Sequence, residues 1–377
     1  MPFKFYSQNV CCLPLFASER SLQTGSLLGA AIATLTLFFC LPTFPIFVSV
    51  FIALITTGLV FPMSYFTYLP ISAILSFFAN DMKHQRLEEI ARRCVTVVDM
   101  KDSKIRDLTK VGVIKTSSGS DFSTCTPKYD AVILQEFYGC VYSDRSRSHF
   151  INIMKQAGYE FHSKSDNGII QNFPSLWANS GMAIFSPHEL KDERECCFSN
   201  QLAYDKFLVR RGSLTATVKY PLNSGKFKDV NVTSVHIGPP ASVLTFFNWL
   251  PPWFFSLLDK FPIQISELSS EISPNNSLIC GDFNAIINGS DYEIIKNSFK
   301  IYNHLTGHFE NTPKTTANPL GEILLTRGLR QPKCLDYVFS SFPGSADIDV
   351  KSWACEEKAG FQFTSDHGPI VGVIDVE

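Results

Sequence analysis

The chain has 377 residues, 45% of them hydrophobic and 18% charged, which suffices for a large core and excludes a disordered polar segment. Lys and Arg total 33 against 35 Asp and Glu, for a net charge of −2. That balance excludes a strongly basic polyanion-binding protein.

The charges are unevenly spread. Residues 1–80 carry only Lys4, Glu19 and Arg20, and none lies between Ser21 and Asn80. A single helix of about 60 residues would measure about 90 Å, roughly three bilayer cores, so the run must fold back. Leu41-Pro42-Thr43-Phe44-Pro45 separates the apolar block Gly25–Cys40 from Ile46–Phe61, and Pro62 and Pro70 bound a third block. Proline disrupts a helix interior and biases the residue before it away from helix. The pattern predicts an N-terminal transmembrane helical hairpin over 21–80. The third block is either another span or an interfacial helix. A cleaved signal peptide is much shorter than this, and a soluble core rarely goes so long without surface charge. The basic flank Lys83, His84, Arg86, Arg92 and Arg93 predicts that the following domain stays on the cytosolic side. The expected organisation is a tail over 1–20, the hairpin over 21–80, a basic connector over 81–93 and a catalytic domain over 94–377.

The 11 cysteines are an odd number without a paired C-x-x-C framework, which fits a reducing compartment better than a disulfide scaffold or zinc module. Cys11 and Cys12 are read as ordinary thiols ahead of acylation sites.

Beyond residue 94, apolar β-branched segments predict strands at Val95–Val98, Ala131–Leu134, Gly181–Phe185, Leu214–Val218, Val230–Val235, Leu278–Cys280, Leu335–Phe339 and Ile370–Val376. Helices are expected around Ser146–Ala157 and Tyr292–Lys300. No internal repeat is evident. This alternation predicts one α/β or α+β domain around a layered sheet. The stretch Val243–Phe261, with two Trp and five Phe, reads either as a buried helix–turn–helix or as an aromatic lobe touching a bilayer.

Five short motifs put polar groups at strand ends. They are Gln135-Glu136, Gly281-Asp282-Phe283-Asn284, Leu335-Asp336-Tyr337-Val338-Phe339, Ser365-Asp366-His367-Gly368-Pro369, and His236 closing Ser234-Val235-His236. Each alone has a bland reading as a turn, a surface loop or a core histidine. Together they supply hard oxygen ligands and two imidazoles, which suits Mg²⁺ and water-driven attack on a phosphate ester.

The ordered set resembles the endonuclease/exonuclease/phosphatase superfamily over residues 94–377, and within it the membrane-anchored neutral sphingomyelinases. Asn179-Ser180-Gly181 and Arg211-Gly212-Ser213 add to that resemblance. It implies a four-layered β-sandwich of the deoxyribonuclease type with flanking helices and the site at the top of two mixed sheets. It also implies roles. Glu136 would ligate Mg²⁺, with Mn²⁺ as an alternative ion. Asp282 and Asn284 would face the phosphate and the attacking water, and Asp336 would orient His367 as general base. Asp366 would assist metal or water binding. His236 would steady phosphoryl oxygens or protonate the leaving group, and Asn179 and Arg211 would contact phosphate. The family's first strand ends in a metal-binding Asn, whereas Val95–Asp99 offers Asp99 there. The implied activity is membrane-anchored phospholipid hydrolysis, sphingomyelin first. The implied partners are the bilayer and its lipid. Nucleic acid is unlikely, and no obligate protein partner is evident. The alternatives are a DNase-type nuclease, a phosphoinositide phosphatase, or an anchored bacterial effector in a host vacuole membrane with a binding role only.

Overall fold

Residues 2–10, 87–99, 104–107, 125–137, 144–164, 180–201, 210–238, 260–286, 289–306, 334–349 and 367–377 are described by the computed structural model. Their strands run from β1 (Pro2–Asn9), β2 (Val95–Asp99), β3 (Lys104–Asp107), β4 (Cys125–Pro127) and β5 (Ala131–Gln135) to β6 (Phe161–Lys164), β7 (Ala183–Ser186) and β8 (Leu190–Cys197). Then follow β9 (Gly212–Pro221), β10 (Phe227–His236), β11 (Ser277–Asp282), β12 (Asn303–His304), β13 (Asp336–Ser340), β14 (Gly344–Ile348) and β15 (Ile370–Asp375). The helices are α1 (87–93), α2 (Asp144–Gln156), α3 (Phe261–Glu271) and α4 (Ser290–Ser298).

Two six-stranded sheets carry the fold, in the orders β14-β15-β1-β5-β7-β6 and β12-β13-β11-β10-β9-β8. Both are mixed: β1 with β5 and β10 with β11 are parallel, and their other pairings are antiparallel. A separate three-stranded sheet has the order β3-β2-β4.

Side chains alternate across a strand, so each sheet fills two layers. Phe3, Phe5, Ala131 and Ile133 meet Leu214, Val232, Leu278 and Val338 between the sheets. On the outer face of the first sheet, Tyr6, Val132 and Leu134 pack with Leu87, Ile90, Phe150 and Met154 of α1 and α2. On the outer face of the second, Ile279, Tyr337 and Phe339 pack with Phe261, Ile265, Tyr292 and Ile295 of α3 and α4. This is the expected four-layered sandwich. All eight predicted strands and both predicted helices are present, with shifted ends.

The N-terminal organisation is corrected. Residues 2–9 are not part of a tail: they form β1, hydrogen-bonded between β15 and β5. Residues 87–93 are not a connector, since α1 buries Leu87, Ile90 and Ala91 in the core. Arg93 is itself buried and pairs with Glu89, and Arg92 lies 3.7 Å from the same carboxylate, so part of the basic flank belongs to the folded domain. The chain accordingly divides into one unit of Met1–Cys12, His84–Glu322 and Thr326–Glu377, and a second of Leu13–Lys83 with Ile323–Leu325. The predicted hairpin over 21–80 and the aromatic stretch 243–259 lie outside the described residues. Among the described residues, no helix is long and apolar enough to cross a membrane.

Candidate active site

Strand register brings the predicted motifs to one end of both sheets. In the second sheet His236 is paired with Asp282, and Asp282 with Asp336, so three adjacent strands place imidazole, carboxylate and carboxylate in a row. Gly281 permits this approach, because a Cβ there would meet the Val235 carbonyl oxygen at 2.0 Å. In the first sheet Asn9 is paired with Gln135, which puts Asn9 beside the Glu136 that follows. Glu136 and Asn284 have φ of 56° and 54°, a left-handed conformation that costs a residue other than glycine about 1–3 kcal/mol and is typical of functional sites.

The side chains converge. Asn9 Nδ2 donates to Glu136 Oε1 at 3.1 Å and to Asp282 Oδ2 at 3.0 Å. His236 Nε2 lies 3.4 Å from Glu136 Oε1 and 3.8 Å from Asp282 Oδ2, and it contacts the Arg211 guanidinium. His367 Nδ1 is 2.8 Å from Asp336 Oδ2, while its Nε2 faces Asp282 Oδ2 at 3.9 Å. The amide of Asn284 donates from its backbone to Asp282 Oδ1 at 2.8 Å. Its side-chain Nδ2 donates to the Ile237 carbonyl at 2.8 Å, tying the ends of β10 and β11 together.

Burial governs the electrostatics. Desolvation, with repulsion from Asp336 and Glu136, pushes the Asp282 carboxyl up to about 7 despite the opposing pull of His367. Desolvation first, then the Arg211 guanidinium and His367, holds His236 well below the ordinary histidine range, so its ring is neutral. The donor set fits a hard cation. The ligand atoms of Glu136, His236 and Asp282 lie within 4.8 Å of one another, as do those of Asp282, Asp336 and His367. Oxygen donors dominate, with no thiol among them, which is the set that Mg²⁺ prefers. A cation would also relieve the mutual repulsion of the carboxylates.

Of the sequence-predicted residues, Glu136, Asp282, Asp336, His236, His367, Asn284 and Arg211 come together here. Asp366 and Asn179 lie outside the described residues. Asp99 ends β2 in the three-stranded sheet, paired with Lys104, while Asn9 stands at the strand end next to Glu136. The residues that sequence reading missed are Asn9 and its neighbour Gln8, whose Nε2 donates to the His367 carbonyl at 2.9 Å. A signal existed. The apolar Phe3 and Phe5, two apart, precede an Asn, as a half-buried strand ending in a ligand would.

No family model matches the sequence, and no curated protein matches it either. Solved structures do match in fold. The structure of SmcL aligns at 15% identity over 99% of each chain with a TM-score of 0.53. A Staphylococcus aureus beta toxin variant with bound magnesium ions aligns at 13% identity over 100% of each chain with a TM-score of 0.52. Sphingomyelinase C from Streptomyces griseocarneus aligns at 12% identity over 66% of this chain and 87% of its own, and its TM-score of 0.47 is too low to bear on the site.

Proposed function

We propose that the protein is a Mg²⁺-dependent phosphodiesterase acting on a membrane phospholipid, with sphingomyelin the first candidate. The observation that carries the reading is the convergence of Asn9, Glu136, His236, Asp282, Asp336 and His367 from both sheets onto one end of the sandwich. The substrate class rests on the ordered motifs and on the charge-free run, read as a membrane anchor.

Glu136 and Asn9 would hold the ion, with Asp282 beside them. Bound there, Mg²⁺ would neutralise phosphate charge and polarise a phosphoryl oxygen. Asp336 accepts from His367 Nδ1, and a carboxylate can only accept, so the proton sits on Nδ1 and Nε2 is the ring's acceptor. That atom faces Asp282 and takes the proton from an attacking water, and Asp336 stabilises the imidazolium that forms. His236 stays neutral beside Arg211, which suits it to hold phosphoryl oxygens in place and makes it a poor acid for the leaving group. Arg211 supplies charge to the same oxygens.

The test is a side-by-side assay of the full-length protein with Mg²⁺ on sphingomyelin vesicles, phosphoinositides and plasmid DNA. Phosphocholine release that chelation abolishes supports the reading. Ready nicking of DNA with no phosphocholine release replaces the lipid by a nucleic acid.

A further inference from the structure

Arg211 immediately precedes β9, whose first residue, Gly212, is paired with His236. In the sheet β9 flanks β10 on one side, and β11 with Asp282 flanks it on the other. Arg211 therefore reaches His236 from the side away from Asp282 and Asp336. An Arg side chain carries about 2 kcal/mol of rotamer entropy, so it grips phosphate well only if its base is fixed. One side chain fixes the base of Arg211. Gln201 Oε1 accepts from the Arg211 N–H at 3.2 Å, and its Nε2 donates to the Arg211 carbonyl at 2.9 Å and to the Phe198 carbonyl at 2.8 Å. The Phe198 N–H donates to the same Arg211 carbonyl at 3.1 Å.

The segment 198–201 is in turn fastened to α3. Gln264, buried on that helix, donates from Nε2 to the Asn200 carbonyl at 2.7 Å and accepts at Oε1 from the Gly238 N–H at 2.9 Å. One turn on, Glu267 accepts from the Ser199 N–H at 2.9 Å and from the Ser199 hydroxyl. Phe198 is buried with Phe261, Ile265 and Leu268 of α3, as are Val235 and Ile237 on either side of His236. A single helix thus holds the segment that clamps Arg211 and the end of the strand that carries His236. The partners of both glutamine amides are main-chain groups, so each amide has one orientation that satisfies them.

We infer that Gln201 and Gln264 are positioning residues, which hang Arg211 and His236 from α3 and so set the pair that holds the phosphoryl oxygens. The inference rests on the phosphodiesterase reading given above and deepens it. Neither glutamine is asked to touch the substrate. Gln201 acts through the main chain of Arg211, and Gln264 through Asn200 and Gly238. The division is physical: Asn9, Glu136 and Asp282 are held by strand register, whereas Arg211 lies outside the strands and is held by side-chain amides.

The experiment uses Gln201→Glu and Gln264→Glu in the full-length protein. A carboxylate keeps the size of the amide but can only accept, so it faces the carbonyls of Phe198 and Arg211, or that of Asn200, without a proton to give. The first readout is the rate at which phenylglyoxal modifies each arginine, followed by mass spectrometry. Modification of Arg211 should quicken several-fold in both variants, while the buried Arg93 on α1 keeps its rate. The second is turnover of sphingomyelin vesicles with Mg²⁺. Gln201→Glu should lower kcat/KM by about 10–10², the cost of a misplaced group. In an Arg211→Ala background the same change should cost less than about twofold, because the two act as a unit. Mg²⁺ affinity by calorimetry should stay within error. An unchanged Arg211 rate overturns the inference. So does an equal rise at Arg93, which signals general loosening, or a full kinetic cost of Gln201→Glu without Arg211. Selective quickening at Arg211 in a protein that turns over no phosphodiester supports the positioning and sinks the phosphodiesterase reading alone.

Discussion

Removing β1 should abolish folding, although the residues deleted lie on the far side of a 60-residue apolar run from the rest of the domain. Two proteins test this. One begins at Asp81. The other joins residues 1–12 to 84–377 through a Gly/Ser linker of about 15 residues, spanning roughly 20 Å. The first lacks six residue pairs with β15 and five with β5, leaving two facing strand edges with unmet backbone groups in the middle of a sheet. It also lacks Phe3, Phe5 and Tyr6, each with no exposed surface. Truncating one buried aromatic costs about 3–5 kcal/mol, so losing three matches or exceeds the whole stability of a typical domain, about 5–15 kcal/mol. Circular dichroism against temperature and urea is the assay. The linked protein should unfold cooperatively, and the fragment should show no cooperative transition. A fragment from Asp81 that melts at the temperature of the linked protein would refute the placement of β1.

Other outcomes follow from the site. Asn9→Ala should weaken Mg²⁺ binding measured by calorimetry, whereas Asp99→Ala should leave it within experimental error; the reverse would restore Asp99 as the ligand. Glu136→Gln should lower both metal affinity and turnover, the latter by about 10²–10⁴. His367→Ala should lose turnover by a similar factor while retaining the melting temperature. Asp336→Asn should lose less, and the double variant little more than His367→Ala, because the pair acts as a unit. The Asp282 carboxyl is pushed up to about 7 from 3.8, so the folded state binds the extra proton between those values. Its contribution to stability is full below about 4 and is lost as pH rises through about 7. Without metal, the parent should therefore lose stability relative to Asp282→Asn across that window. Excess Mg²⁺ should stabilise the parent more at pH 8 than at pH 5, and an identical pH slope in both proteins would remove Asp282 as the source.

Much of this protein was legible without tertiary structure. Strand-end motifs such as Gln135-Glu136 and Gly281-Asp282 were found because alternation along a strand is a local property, and a polar residue that closes an apolar strand marks the sheet's rim. The pairing of Asp336 with His367 and the neighbourhood of His236 are what the family resemblance implies, and the geometry agrees. What the sequence could not decide was where Pro2–Asn9 goes. Its own alternation says strand, but a strand's neighbours are set by hydrogen bonds to partners far along the chain. Asn9 meets Glu136 across 127 positions and Asp282 across 273. No local pattern encodes those separations, and the charge-free run made the preceding residues look like a tail before an anchor. Asp99 was chosen because it ended the next visible strand. Only the tertiary structure shows that β2 finds its partners in a different sheet and that Asn9 stands at the strand end beside Glu136.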